Sequence, residues 1–121
     1  LKLLISLSGT FGKTSLNDLI YVISKLDLVI TTDSAPMHIA AALGTPLVAI
    51  FGPANYKMYG PYNSKHNYTI VDKELPCKNP QIIQCKVRFK CTHLSCINNI
   101  DVDDVYDAAC NYIPRNLYIG N

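Results

Sequence analysis

Three groups of residues have the types and spacing that chemistry requires. Gly12-Lys13-Thr14 comes shortly after an apolar run, as in loops that cradle a triphosphate. Asp33-Ser34-Ala35-Pro36-Met37-His38 places a carboxylate, a hydroxyl and an imidazole around a proline that suits the first turn of a helix. Cys77, Cys85, Cys91 and Cys96, with His93 between the last two, offer soft ligands for a metal or partners for a disulfide.

The first group fails on spacing. A phosphate-cradling loop needs G-x-x-x-x-G-K-[ST], because its first glycine lets the backbone wrap the phosphates. Counting back from Gly12 puts that glycine at Leu7, and Gly9 stands two residues too close. The loop is too short for the wrap. Thr14 and Ser15 are instead read as caps of a following helix. Lys13 is left as a solvated surface lysine or as a phosphate ligand of a different nucleotide site, such as that of a kinase.

The second group falls where a strand turns into a helix. Backbone N–H groups and the positive end of the helix dipole would face the crevice there, and a diphosphate suits that position. Ser34 adds a hydroxyl donor, and His38, one turn further on the same face, meets a phosphate charge as an imidazolium. Asp33 repels phosphate, which leaves it a sugar hydroxyl or the capping of the helix. The competing role for His38 is a partly buried ring bonded to a carbonyl.

The cysteines of the third group are separated by seven, five and four residues. Zinc sites favour pairs with two to four residues between them, and only Cys91 and Cys96 come near. A structural metal site, a disulfide and reduced thiols packed under a long loop all fit this pattern. Cys110 falls on a last helix, as a core residue.

These groups need elements to hold them. Residues 3–7, 28–31 and 47–51 are short apolar runs of the kind found in buried parallel strands, and residues 68–71 form a fourth. Ser15-x-x-Asp18 opens a helix to about Lys25, with Leu16, Leu19, Ile20 and Ile23 on its apolar face. A second helix begins at residues 33–36 and closes at Gly44. Periodicity vanishes over about 73–99. A last helix, about 102–113, follows Asp101, with Val102, Val105, Tyr106 and Ala109 on one face and Pro114 as its stop. Strand and helix alternate, so the expected fold is α/β, a Rossmann-like parallel sheet with flanking helices. Ligands of such sheets lie beyond the carboxyl ends of the strands, which selects the loops 8–14, 32–36 and 52–62.

The bulk properties agree with one domain. At 121 residues, 49% of them hydrophobic, the chain can bury a core, and a net charge of +2 is too small to imply nucleic acid or an anionic membrane. The most apolar region is cut by Gly44 and Pro46, well short of the ~20 residues that span a bilayer. Five cysteines, an odd number, fit a reducing cytoplasm better than a paired secreted framework. The chain opens on Leu1 rather than Met and already reads as a strand, so an upstream part is expected.

The stretch "DLVITTDSAPMHIAAALGTPLVAIFGP", residues 27–53, resembles the heptosyltransferase family of glycosyltransferases. Its D-[ST]-G-x-x-H-x-A-A-A-x-G-x-P pattern is similar to Asp33-Ser34-Ala35-Pro36-Met37-His38 followed by Ala40-Ala41-Ala42-Leu43-Gly44-Thr45-Pro46, with Phe51-Gly52-Pro53 next. Gly12-Lys13-Thr14-Ser15-Leu16 and Gly60-Pro61-Tyr62 are similar too and stand in the same order, so the resemblance covers roughly residues 3–62. It implies the donor-binding part of the C-terminal domain of a GT-B enzyme, acting without a cofactor. The implied donor is ADP-heptose or a related nucleotide sugar, bound by Lys13, Thr14, Asp33, Ser34, Ala35, Pro36 and His38. It also implies a lipopolysaccharide core acceptor, inversion at the anomeric carbon, and a cytoplasmic place that admits the periphery of the inner membrane. The acceptor domain and the catalytic base would lie N-terminal to this chain, which then holds an incomplete donor domain and no catalytic residue. One departure stands out. Ala35 replaces the family's glycine, where a β-carbon is expected to crowd the donor or forbid a positive φ. A metal-binding or interaction module built on the cysteine loop is the alternative.

Overall fold

The computed structural model of the chain describes residues 3–5, 14–62, 67–78, 85 and 90–113. Its apolar runs form four strands, β1 (Leu3–Ile5), β2 (Leu28–Thr32), β3 (Leu47–Phe51) and β4 (Tyr68–Asp72). They pair in parallel in the order β1-β2-β3-β4, with Ile5 beside Ile30, Thr31 beside Ala49 and Phe51 beside Asp72. The fold is the expected α/β arrangement. Leu7, the expected last residue of the first strand, lies outside the described residues.

Alternation along the central strands explains why β3 is apolar throughout, while β2 turns polar only at Thr31 and Thr32, where its burial ends. Val29, Leu47, Ala49 and Phe51 point to one face, where they pack with Ile23, Met37, Ala40 and Ala41. Leu28, Val48 and Val71 point to the other, against Ala108, Ala109 and Ile113. A strand buried on both sides has no position for a polar residue.

Helix α1 (Leu16–Ser24) starts as the sequence predicts. Ser15 accepts from the Asp18 N–H, and the Asp18 carboxylate accepts from the Ser15 N–H in return. Thr14 takes no part in this cap and is exposed. Ile23 is buried and Leu19 packs against the core, but Leu16, expected on the same face, is 65% exposed. It is the first residue of the helix, beyond the part that rests on helix α2 (Ala35–Leu43). Ala40 and Ala41 let α2 lie close to the sheet. Gly44 ends it at φ 73°, a left-handed conformation that side chains resist, and the Thr45 N–H reaches back to the Ala40 carbonyl at 3.0 Å. Thr45 is buried, and its hydroxyl donates to the Ile23 carbonyl at 3.1 Å, joining the ends of α1 and α2.

Two short helices lie where the sequence shows no periodicity: α3 (Tyr56–Tyr59), capped by Asn55, and α4 (Ser95–Asn98), inside the cysteine loop. One turn of helix is too short for periodicity to register. Helix α5 (Val102–Ala109) follows its Asp101 cap and ends before the expected residue 113; Pro114 lies outside the described residues. Its buried stripe differs from the expected one. Ala108 and Ala109 are buried and Val105 packs against the core, while Val102 is 81% and Tyr106 40% exposed. Small alanines allow the helix to approach the sheet, and an ion pair between Asp104 and Lys73, at 2.8 Å, holds that roll.

This pair makes a testable contribution. The Lys73 ammonium, followed by the Asp101 N–H, holds the Asp104 carboxyl below its ordinary range; the Asp104 hydrogen bond raises Lys73. The Asp104 contribution is therefore present above the ordinary carboxylate range and lost as pH falls through the lowered value. That of Lys73 is full below the ordinary lysine range and lost as pH rises through the raised one. Lys73→Met should then lower the urea midpoint at neutral pH more than at about pH 3, below the ordinary carboxylate range. An equal loss at both would assign Lys73 to packing through its methylenes.

Candidate functional site

The carboxyl ends of β2 and β3 open into a cavity of about 200 Å³. Thr32 and Asp33 line it from the end of β2, and Ile50, Gly52, Pro53 and Ala54 from β3 and its exit. Ile97, from α4, closes the remaining side. Two of the three loops selected from the sequence meet here. Of the third, only Thr14 is described. Lys13 lies outside the described residues. Ligand pockets usually measure ~300–1,000 Å³, so the described cavity is smaller than a typical one.

The start of α2 differs in detail from the expected cap. Ser34 occupies the cap position, but its side chain makes no capping bond. Its hydroxyl donates to the Thr32 carbonyl at 3.1 Å and lies 3.1 Å from the Thr31 hydroxyl. A serine has a single proton to give, so Ser34 reaches a phosphate only by releasing that carbonyl. Asp33 does not cap the helix either; it is exposed, lines the cavity, and has no hydrogen bond to a described residue. Pro36 supplies no N–H, and the Met37 N–H turns back to the Ser34 carbonyl at 3.1 Å. Among the described residues the Ala35 N–H has no hydrogen-bond partner, and it stands at the positive end of the helix.

Ala35 is the first residue of α2, and Leu94 is the only described non-glycine residue with a positive φ. The expected φ penalty at Ala35 is therefore absent, and only the volume of its β-carbon remains. His38 is exposed rather than partly buried, with no hydrogen bond to a described residue. The arrangement offers a dipole, one backbone donor and an imidazole for an anion, with a carboxylate next to them for hydroxyl groups.

The cysteine loop reaches the same place. The Cys85 N–H donates to the Pro53 carbonyl at 3.3 Å. A β-carbon added at Gly52 would lie 2.5 Å from Ile97 Cδ1 and 3.9 Å from Cys96 Sγ. Glycine is what lets α4 sit against the end of β3. Burial pushes the Cys96 thiol up, against the pull of Lys78, which is itself paired with Asp72 at the end of β4. All five cysteines are free thiols, and no three His, Cys, Asp or Glu among the described residues gather as a metal site. His93 Nδ1 accepts from the Ser95 N–H at 3.2 Å, a capping role. Cys110, expected in the core, is half-buried at the end of α5.

A family profile described as glycosyltransferase family 9 (heptosyltransferase) matches residues 7–90, more than half of the sequence. The chain belongs to this family. Among heptosyltransferases it is 43% identical over 63 residues to the lipopolysaccharide core heptosyltransferase OpsX of Haemophilus influenzae, covering 52% of this chain and 18% of that protein. Lipooligosaccharide heptosyltransferase 2 of Campylobacter jejuni is 29% identical over 112 residues, 93% of this chain and 34% of that protein. Lipopolysaccharide heptosyltransferase 2 of Escherichia coli K12 is 39% identical over 54 residues, 45% and 16% of the two. The chain thus spans at most about a third of the heptosyltransferases it matches. No solved structure matches it. No helix among the described residues is long and apolar enough to cross a membrane. Sequence reasoning missed Ile97, which lies beyond the family-matched residues; no motif marks an isoleucine that touches a distant glycine.

Proposed function

We propose that this chain is the donor-binding part of a heptosyltransferase that moves a heptose from ADP-heptose to a lipopolysaccharide core. The observation that carries this reading is the start of α2 beside the cavity. A helix end suited to an anion and a carboxylate with no hydrogen bond among the described residues stand next to each other at the carboxyl ends of two parallel strands. As the bond between the sugar and the diphosphate breaks, negative charge grows on the leaving phosphate. The Ala35 N–H, the α2 dipole and His38 would stabilise it, and Lys13 and Thr14 are the further candidate donors that the sequence offers. Ser34 and Pro36 shape the turn, and Asp33 would accept from a sugar hydroxyl.

In this reading the chain is an incomplete domain, the C-terminal half of a GT-B enzyme. The base that activates the acceptor belongs to the partner domain on the N-terminal side. The enzyme works on the cytoplasmic side of the inner membrane. Packing of the cysteine loop onto the end of β3 makes that loop a wall of the donor site, which disfavours an independent metal-binding module.

Calorimetry on residues 1–121 tests the proposal. ADP-heptose and ADP should both bind well above adenosine, and ATP with magnesium should bind no better than ADP. The chain alone should transfer no sugar. ATP binding over a hundredfold tighter than ADP would point to a triphosphate site, and binding of none of these would remove the donor site altogether.

A further inference from the structure

We infer that Ile97, carried by α4 against Gly52, sets which sugar the donor brings beside Asp33. The inference rests on the donor-site reading and adds a specificity-determining residue to it. The cavity is lined by polar Thr32 and Asp33 together with apolar Ile50, Pro53, Ala54 and Ile97. A sugar ring matches this mixed lining, with hydroxyl groups for the carboxylate and a C–H face for the apolar side chains. The anion-binding end of α2 continues directly from Asp33, so a diphosphate held there leads its sugar into the cavity.

Ile97 is a part of that lining that stands outside the sheet. Ile50 belongs to β3, whose backbone is fixed on both sides by its neighbours. Ile97 stands on a four-residue helix and is 43% exposed. That helix is held by local bonds: Asn98 Nδ2 donates to the His93 carbonyl at 3.1 Å, and Ser95 Oγ lies 3.0 Å from His93 Nδ1. Its branched tip fills the space that Gly52 leaves open. The family profile ends at residue 90, so this wall comes from a part of the chain outside the shared donor motif. A change at Ile97 can therefore alter the room beside Asp33 without touching the α2 terminus.

The test is calorimetry of ADP, ADP-heptose and ADP-glucose on the 1–121 chain and on Ile97→Ala and Ile97→Phe. ADP should bind all three proteins within twofold, which also shows that the variants are folded. Ile97→Phe should weaken ADP-heptose at least tenfold. Ile97→Ala should bring the affinities for the two sugar nucleotides within threefold of each other. Equal shifts for ADP and both sugar nucleotides would make Ile97 a packing residue, and unchanged preferences in both variants would place the sugar elsewhere; either overturns the inference while the donor site stands. Failure of the unaltered chain to bind ADP would end both.

Discussion

His38→Ala is expected to weaken ADP binding roughly tenfold to over a hundredfold, the ~1.5–3 kcal/mol of a charge-assisted hydrogen bond, while adenosine binding hardly changes. The helix end alone is a modest anion site. Pro36 has no N–H and the Met37 N–H is already engaged, so Ala35 provides the remaining backbone donor. Ser34 has committed its proton to the Thr32 carbonyl. His38, exposed one turn into α2, is then the side chain best placed to add a donor for phosphate. Its exposure also separates function from folding, because alanine at a surface helix position does not weaken the helix. The thermal midpoint should stay within a degree or two, since surface substitutions usually stay within about 0.5 kcal/mol. His38→Gln distinguishes the two parts of the effect, because it keeps a donor and loses the charge. Equal losses for ADP and adenosine would show that His38 does not meet the diphosphate.

Phe51→Ala should cost about 3–5 kcal/mol of folding stability, a large part of the ~5–15 kcal/mol that holds a domain together. Phe51 is 0% exposed at the end of β3, in the cluster that includes Met37, Ala40 and Leu47. Its ring meets Tyr56 of α3 edge to face at 6.2 Å. Removing it leaves a cavity under the start of α2 and frees α3, so ADP binding should fall with stability. Met58→Ala, on the same short helix but at a side chain 61% exposed, should change stability by less than about 0.5 kcal/mol. Urea denaturation at neutral pH measures both. A Phe51→Ala loss below about 1 kcal/mol would mean that the core relaxes around the missing ring.

Local chemistry was readable from the sequence wherever it decides the structure. Ser15 with Asp18 forms a reciprocal cap within four residues of chain, Asp101 caps α5, and Gly44 takes the left-handed position that glycine tolerates best. The doubly buried strands show as unbroken apolar runs, which with alternating helices imply a parallel sheet. Residues 33–38 are contiguous in the chain, so their place at a strand-to-helix junction followed as well.

Other features depended on contacts between distant residues. The roll of α5 follows from Ala108 and Ala109 meeting Val71 and from Asp104 meeting Lys73, and no heptad count reveals either partner. Val102 and Leu16 fit the periodic stripe yet stand exposed, each as the first residue of its helix. The Ser34 proton goes to a carbonyl two residues back, which depends on the exact path of the chain after β2. Ile97 reaches Gly52 across more than forty residues, and only the folding of the cysteine loop onto the end of β3 makes it a wall of the site. Capping and strand burial are local or periodic and leave a trace in the sequence. Contact between an isoleucine and a glycine depends on shape and distance, and the tertiary structure alone decides it.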